Sequence, residues 1–174
     1  TVAPTIPKAK ILIGYVIKHI FENDYTRGKF NIGKEETEER IRRERSKSRL
    51  TFRVSDGIGE IYILSAEARK KGPDAGDILL GYGAPNLLLD EAALIPDRVY
   101  PEVIRMLAGH KDSFLAKIGN TIRRNHFLKS HNNPNYNKTT VDCYQGLKEG
   151  RITQERIDEL KKEKLRQFFW LGLT

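Results

Sequence analysis

Cysteine is nearly missing from this chain. Cys143 is the only one in 174 residues. An internal disulfide framework is therefore excluded, and a reducing compartment suits the composition. A lone cysteine of this kind reads as a packed small residue rather than a nucleophile. Long apolar runs are missing too: no stretch approaches the roughly 18 residues needed to span a bilayer. The opening residues carry no signal-peptide pattern. There is no internal repeat and no low-complexity linker. A zinc site is also missing by pattern, because His126, His131 and Cys143 fit no common ligand spacing and lack a fourth partner.

A complete phosphate-binding loop is absent as well. Gly28 to Glu35 reads GKFNIGKE, which satisfies G-x-x-x-x-G-K. It places Glu35 where Ser or Thr should help hold magnesium, and a carboxylate there would repel phosphates. The preceding Glu22-Asn23-Asp24 makes no strand, so this segment reads as a decoy. The first residues, Val2-Ala3-Pro4-Thr5, look like the end of a buried strand, and Thr1 is no initiator methionine. The expectation is a portion of something longer.

What is present fits one globular domain: 39% of residues are hydrophobic, enough for a real core. The formal net charge is +8, with a pI near 9.6. A basic surplus favours acidic partners such as nucleic acid or nucleotides, although simple solubility explains it equally well. Lys8 to Asn23 reads as a helix with a wide apolar face (Ile11, Leu12, Tyr15, Val16, Ile20). Lys34 to Ser48 places acids before bases, as a solvated helix would. Arg49 to Asp56 and Glu60 to Ser65 read as two strands of a hairpin turning at Gly57-Ile58-Gly59. Leu87 to Leu89 is a short apolar strand, Asp97 to Ala108 a helix, and Phe114 to Ile118 another strand. Thr153 reads as the N-cap of a last helix with Ile157, Leu160 and Leu165 inward. Strands alternating with helices predict an α/β layered fold.

Chemistry concentrates at LLLDEAALIPD, Leu87 to Asp97. An apolar strand running into Asp-Glu is a Walker B pattern. A buried strand holds carboxylates rigidly at its C-terminal edge, where α/β folds place ligands. Asp90 would hold Mg²⁺ through water, because that ion takes oxygen ligands and keeps much of its hydration. Glu91 would orient and deprotonate the water that attacks a γ-phosphate. The plain alternative is a strand end with two solvated acids. Farther along, Gly119 to Lys138 contains Arg123, Arg124, Lys129 and Lys138 and no acid at all. It suits a phosphate-facing surface. An arginine finger or an ordinary basic loop would have the same composition.

Taken in order, these pieces resemble the large subunit of tailed-phage terminases, the ATP-driven DNA-packaging motors. VAPT (Val2 to Thr5) with its following helix is similar to the strand and helix after that family's phosphate loop. SDGIGEIYILSAEARKKGPDAG (Ser55 to Gly76) resembles the stretch before Walker B. GYGAPNLLLDEAALIPD (Gly81 to Asp97) resembles the Walker B strand itself. IGNTIRRNHF (Ile118 to Phe127) resembles the coupling motif and its loop. GRITQERIDELKKE (Gly150 to Glu163) is similar to the helix that closes the ATPase domain.

The resemblance implies a partial P-loop NTPase core of the ASCE type. Its sheet would be mostly parallel, flanked by helices, with a β-hairpin before the Walker B strand. Residues 1–174 would form a single incomplete ATPase domain, with the Walker A segment upstream and a nuclease domain downstream. Implied cofactors are ATP and Mg²⁺. Implied partners are double-stranded DNA, a homo-oligomeric ring on a portal, and a small terminase subunit, with no membrane and in the host-cell cytoplasm. Gly119, Asn120 and Thr121 would form the coupling motif, relaying loss of the γ-phosphate. The family often has proline where Thr121 stands. Arg123, Arg124 and Lys129 would contact phosphate or nucleic acid. The isolated chain would hydrolyse ATP weakly or not at all. A helicase-like ASCE ATPase and a non-enzymatic basic nucleic-acid-binding module are the competing readings. The latter binds DNA with salt sensitivity but indifference to ATP.

Overall fold

The computed structural model describes residues 1–29, 49–54, 57–66, 79, 81–120 and 122–162. The chain packs as two compact units, Thr1–Ile118 and Gly119–Thr174.

The first unit is built on a four-stranded parallel sheet. Its strands are β1 (Val2–Ala3), β4 (Leu64–Ser65), β5 (Asn86–Leu89) and β6 (Phe114–Lys117), in the order β4-β1-β5-β6. Val2 pairs with both Leu64 and Leu89, and Leu89 pairs in turn with Lys117. Pairing in register puts those side chains on one face. Val2, Leu87 and Leu89 are buried, as a parallel sheet covered on its faces requires. The α/β class and the mostly parallel, helix-flanked sheet agree with the sequence expectation.

Helix α1 (Ile6–Glu22) starts where Thr5 takes an extended backbone and its Oγ1 accepts from the Lys8 N–H. Pro7 sits in the first turn, where its missing N–H costs nothing. The helix covers the sheet with Ala9, Ile13, Ile17 and Ile20, packed with Ala3 and Ile63. This stripe is narrower than the sequence suggests. Ile11 and Tyr15 are 61% and 68% exposed, because they lie on the opposite side of the helix from Ile13 and Ile17. Helix α2 (Asp24–Lys29) follows at once.

A separate antiparallel hairpin joins β2 (Arg49–Val54) to β3 (Gly57–Tyr62). Val54 pairs with Gly57 and Phe52 with Gly59. Gly57-Ile58-Gly59 therefore belongs to a strand, not to the expected turn; Ser55 and Asp56 lie outside the described residues. The run expected as one strand, Glu60 to Ser65, divides at Ile63. Its first part completes the hairpin and Leu64–Ser65 enters the parallel sheet. The helix expected over Asp97 to Ala108 is shorter, α3 (Tyr100–Arg105), with Pro101 in its first turn and buried Val103 facing inward. Turns occupy 97–99 and 106–109, ending at Gly109, whose φ of 95° suits glycine. The charged segment Lys34 to Ser48 and the Gly/Pro/Asp-rich stretch Lys71 to Asp77 lie outside the described residues, as does the apolar run Phe168 to Leu171.

The second unit contains α4 (His126–His131), α5 (Cys143–Lys148) and α6 (Gln154–Lys162). Thr153 precedes α6 and its Oγ1 accepts from the Arg156 N–H at 3.2 Å, as an N-cap does. Ile157 is fully buried and Leu160 half-buried, while Leu165 lies outside the described residues. No described helix is long and apolar enough to cross a membrane.

One strand residue has an unusual environment. Lys117 of β6 lies 4.1 Å from the centre of the Tyr100 ring and donates a hydrogen bond to the Tyr100 hydroxyl. Burial lowers its pKa to about 8. Below that value both folded and unfolded chains carry the charge, and its desolvation weighs on the fold in full. Between about 8 and 10.5 the unfolded lysine stays protonated while the folded one does not, so this group's contribution to stability improves as pH rises. Lys117→Met should therefore stabilise most at pH 7. Denaturant midpoints should show its advantage over the parent chain shrinking steadily toward pH 10.

Candidate functional site

The site is a turn at the C-terminal edge of the parallel sheet. β5 ends at Leu89, and Asp90 and Glu91 follow directly. Both flanks of Glu91 are tied to neighbouring strands. The Asp90 N–H donates to the Val2 carbonyl at 2.9 Å, and the Ala92 N–H donates to the Ile118 carbonyl at 2.8 Å. Ile118 in turn donates its N–H to the Leu89 carbonyl at 2.9 Å. The ends of β1 and β6 thus hold the acidic turn from two sides.

Between these ties the backbone of Glu91 is left-handed, with φ 49° and ψ 44°. It is the one non-glycine residue with positive φ among those described. For a side chain with a Cβ this conformation costs roughly 1–2 kcal/mol. Such strain persists only when surrounding structure over-determines it, and the two flanking hydrogen bonds do so here. A 3-10 turn, Ala92–Leu94, follows, with the Leu94 N–H donating to the Glu91 carbonyl at 2.8 Å. Ala92 and Ala93 are buried, so small side chains let the turn press into the sheet end. Asp90 and Glu91 themselves are half-buried: anchored by backbone, reachable by ligand.

Sequence reasoning missed one partner. The Lys8 ammonium lies 3.5 Å from Glu91 Oε1. Lys8 is in the first turn of α1, where the helix dipole favours acids and no acid is present. A cation in that unfavourable place was the only available signal, and nothing in the sequence tied it to Glu91.

The donor set fits magnesium. Among the described residues no group of three or more His, Cys, Asp or Glu side chains could hold a metal ion. Mg²⁺ needs no such cage, since it keeps several waters and binds through one or two carboxylates plus substrate phosphates. Adjacent, half-buried Asp90 and Glu91 on a rigid sheet edge supply that kind of set.

The residues expected to form a coupling motif begin where the first unit ends. Gly119 follows Ile118 and takes φ 154°, backbone that favours glycine. Asn120 is exposed and its carbonyl accepts from the Ile122 N–H at 2.8 Å; Thr121 lies outside the described residues. Arg123, Arg124 and Lys129 belong to the second unit, and all three are exposed. The basic segment Gly119 to Lys138, expected to suit a phosphate-facing surface, contains α4, capped by Asn125, whose Oδ1 accepts from the Phe127 N–H at 3.2 Å. His126 is buried and Cys143 is half-buried at the start of α5. In the decoy segment, Gly28 and Lys29 end helix α2 with no strand before them, and Phe30 to Glu35 lie outside the described residues.

No family model, curated protein or solved structure matches the chain.

The strain at Glu91 is open to direct measurement. Glu91→Gly should relieve it and leave the fold equally stable or up to about 1 kcal/mol more stable. Glu91→Val should cost more than about 1 kcal/mol, because a β-branched side chain tolerates positive φ worst. Chemical denaturation of the two variants reads the difference.

Proposed function

We propose that this chain supplies the metal-holding and water-activating acids of an ATP-hydrolysing motor of the terminase large-subunit kind, acting on double-stranded DNA. The supporting observation is the pinned Asp90-Glu91 turn at the C-terminal edge of a parallel strand flanked on both sides by parallel neighbours. Asp90 is the residue to hold Mg²⁺, directly or through water. When bound, that ion would neutralise charge on the phosphate oxygens. Glu91 orients the attacking water by accepting its hydrogen bond and takes up its proton at the carboxylate. The backbone ties keep both acids in place, so little reorganisation accompanies the reaction.

The phosphate cradle comes from a segment other than those described. β6 is one of the two outer strands of this sheet among the described residues, with Phe114 61% exposed and Ile118, just past its end, 57% exposed. An apolar outer strand of this kind calls for a cover. One more parallel strand beside β6 would carry a phosphate loop at its own C-terminal end, the same end of the sheet as Asp90. The reading of the chain as part of a P-loop NTPase core depends on that strand.

Arg123, Arg124 and Lys129 are the residues for the DNA backbone. None of them is buried, and the described stretch from 122 to 141 contains no acid. Contacts of this type carry no sequence preference, which suits a motor that must move any DNA.

Two measurements test the proposal. Titration of the full chain with Mn²⁺, followed by electron paramagnetic resonance, should show a bound ion that Asp90→Asn removes; unchanged binding in that variant would contradict the metal assignment. Duplex DNA binding should weaken in Arg123→Ala and Arg124→Ala alike for any sequence. The slope of log affinity against log salt should become shallower by about 0.9 for each phosphate that a variant leaves unneutralised. An unaltered slope would place the DNA elsewhere.

A further inference from the structure

Glu91 meets a cation before any metal arrives, and the geometry suggests what that cation does. Lys8 Nζ lies 3.5 Å from Glu91 Oε1, with the side chains 39% and 38% exposed. Three features of the pair need a common reason. Lys8 occupies the first turn of α1, where a positive charge opposes the helix dipole. Glu91 is held between ties on both flanks in left-handed backbone, a conformation that a residue with a Cβ does not favour. The separation exceeds the roughly 2.7–2.9 Å of a strong charge-assisted bond. An exposed ion pair this loose adds little to stability. Two locally unfavourable choices therefore meet in a contact too weak to repay either as structure.

We propose that Lys8 is a positioning residue for Glu91: its ammonium serves as a monovalent counter-ion that holds the carboxylate until a divalent cation enters beside Asp90. This rests on the assignment of Asp90 and Glu91 to the metal and water. A divalent ion held by Asp90 would compete with the Lys8 ammonium for the acidic turn. Displacement of Lys8 frees Glu91 to accept a hydrogen bond from water. The weakness of the pair is what makes it displaceable: a tight, buried bridge would lock the base, whereas a loose, half-exposed one holds it only while the metal is away. Lys8 thereby lowers metal affinity and keeps the general base occupied in the metal-free state.

The test uses the full chain and Mn²⁺ alone, with the free ion counted by electron paramagnetic resonance. Lys8→Met should tighten Mn²⁺ binding roughly two- to five-fold, the range an exposed pair can contribute. Lys8→Arg preserves the charge and should leave the affinity unchanged. In a Glu91→Gln background Lys8→Met should produce no gain, which a general electrostatic effect would not reproduce. Far-UV circular dichroism confirms that each variant is folded. If Lys8→Met leaves Mn²⁺ affinity unchanged or weaker while Asp90→Asn still abolishes binding, Lys8 has no such role and the metal assignment stands. A gain that persists in Glu91→Gln also overturns the role of the pair. If Asp90→Asn does not reduce binding, the metal assignment and the role of Lys8 fall together.

Discussion

Two backbone hydrogen bonds hold the acidic turn on which the functional reading depends. The Asp90 N–H reaches the Val2 carbonyl on one side, and the Ala92 N–H reaches the Ile118 carbonyl on the other. Each joins the end of β5 to the end of a neighbouring parallel strand. Between them Glu91 has no freedom to relax and takes positive φ despite carrying a Cβ. Ordinary ladder bonding thus holds the backbone from which this half-buried carboxylate projects.

The remainder of the first unit supports these ties. Val2 is fully buried and pairs with both Leu64 and Leu89, so the carbonyl that receives Asp90 sits on a strand enclosed from both sides. Helix α1 covers β1 and β4 with an isoleucine stripe, and its first turn brings Lys8 to Glu91. Packing and electrostatics thereby converge on the same short segment: the helix that closes the core also delivers the cation. On the outer side, β6 supplies the Ile118 carbonyl while leaving apolar surface open. Among the described residues, β6 is thus paired on its inner side only.

Much of the framework was legible in the sequence, for identifiable reasons. The LLLDE run announces a strand ending in acids because apolar β-formers stop abruptly at two charges. Thr153 announces a helix start because a hydroxyl before an apolar-periodic run is a capping signal; Thr5 carries the same signal, although the sequence reading begins that helix only at Lys8. Asp142 carried the same signal for α5, its Oδ1 accepting from the Gln145 N–H at 2.8 Å, and Asn125 did so for α4. Both helices were overlooked because they are six residues long and lack apolar periodicity. Gly57 and Gly59 misled in the opposite way: glycine favours turns, but strand pairing across the hairpin outweighed that preference. Three features of the site could not be read at all. The left-handed backbone falls on glutamate, a residue with no leaning toward it. The ties come from Val2 and Ile118, and the counter-ion from Lys8, all remote in sequence from the turn they control.

The most direct measurement is the location of a manganese ion by anomalous diffraction in crystals of the full chain grown with Mn²⁺ and a non-hydrolysable ATP analogue. A peak held by Asp90, directly or through one water, with Glu91 facing a second water, is the predicted result. A well-ordered ion bound elsewhere, with Asp90 and Glu91 touching only solvent, would contradict the assignment of these acids to metal and water.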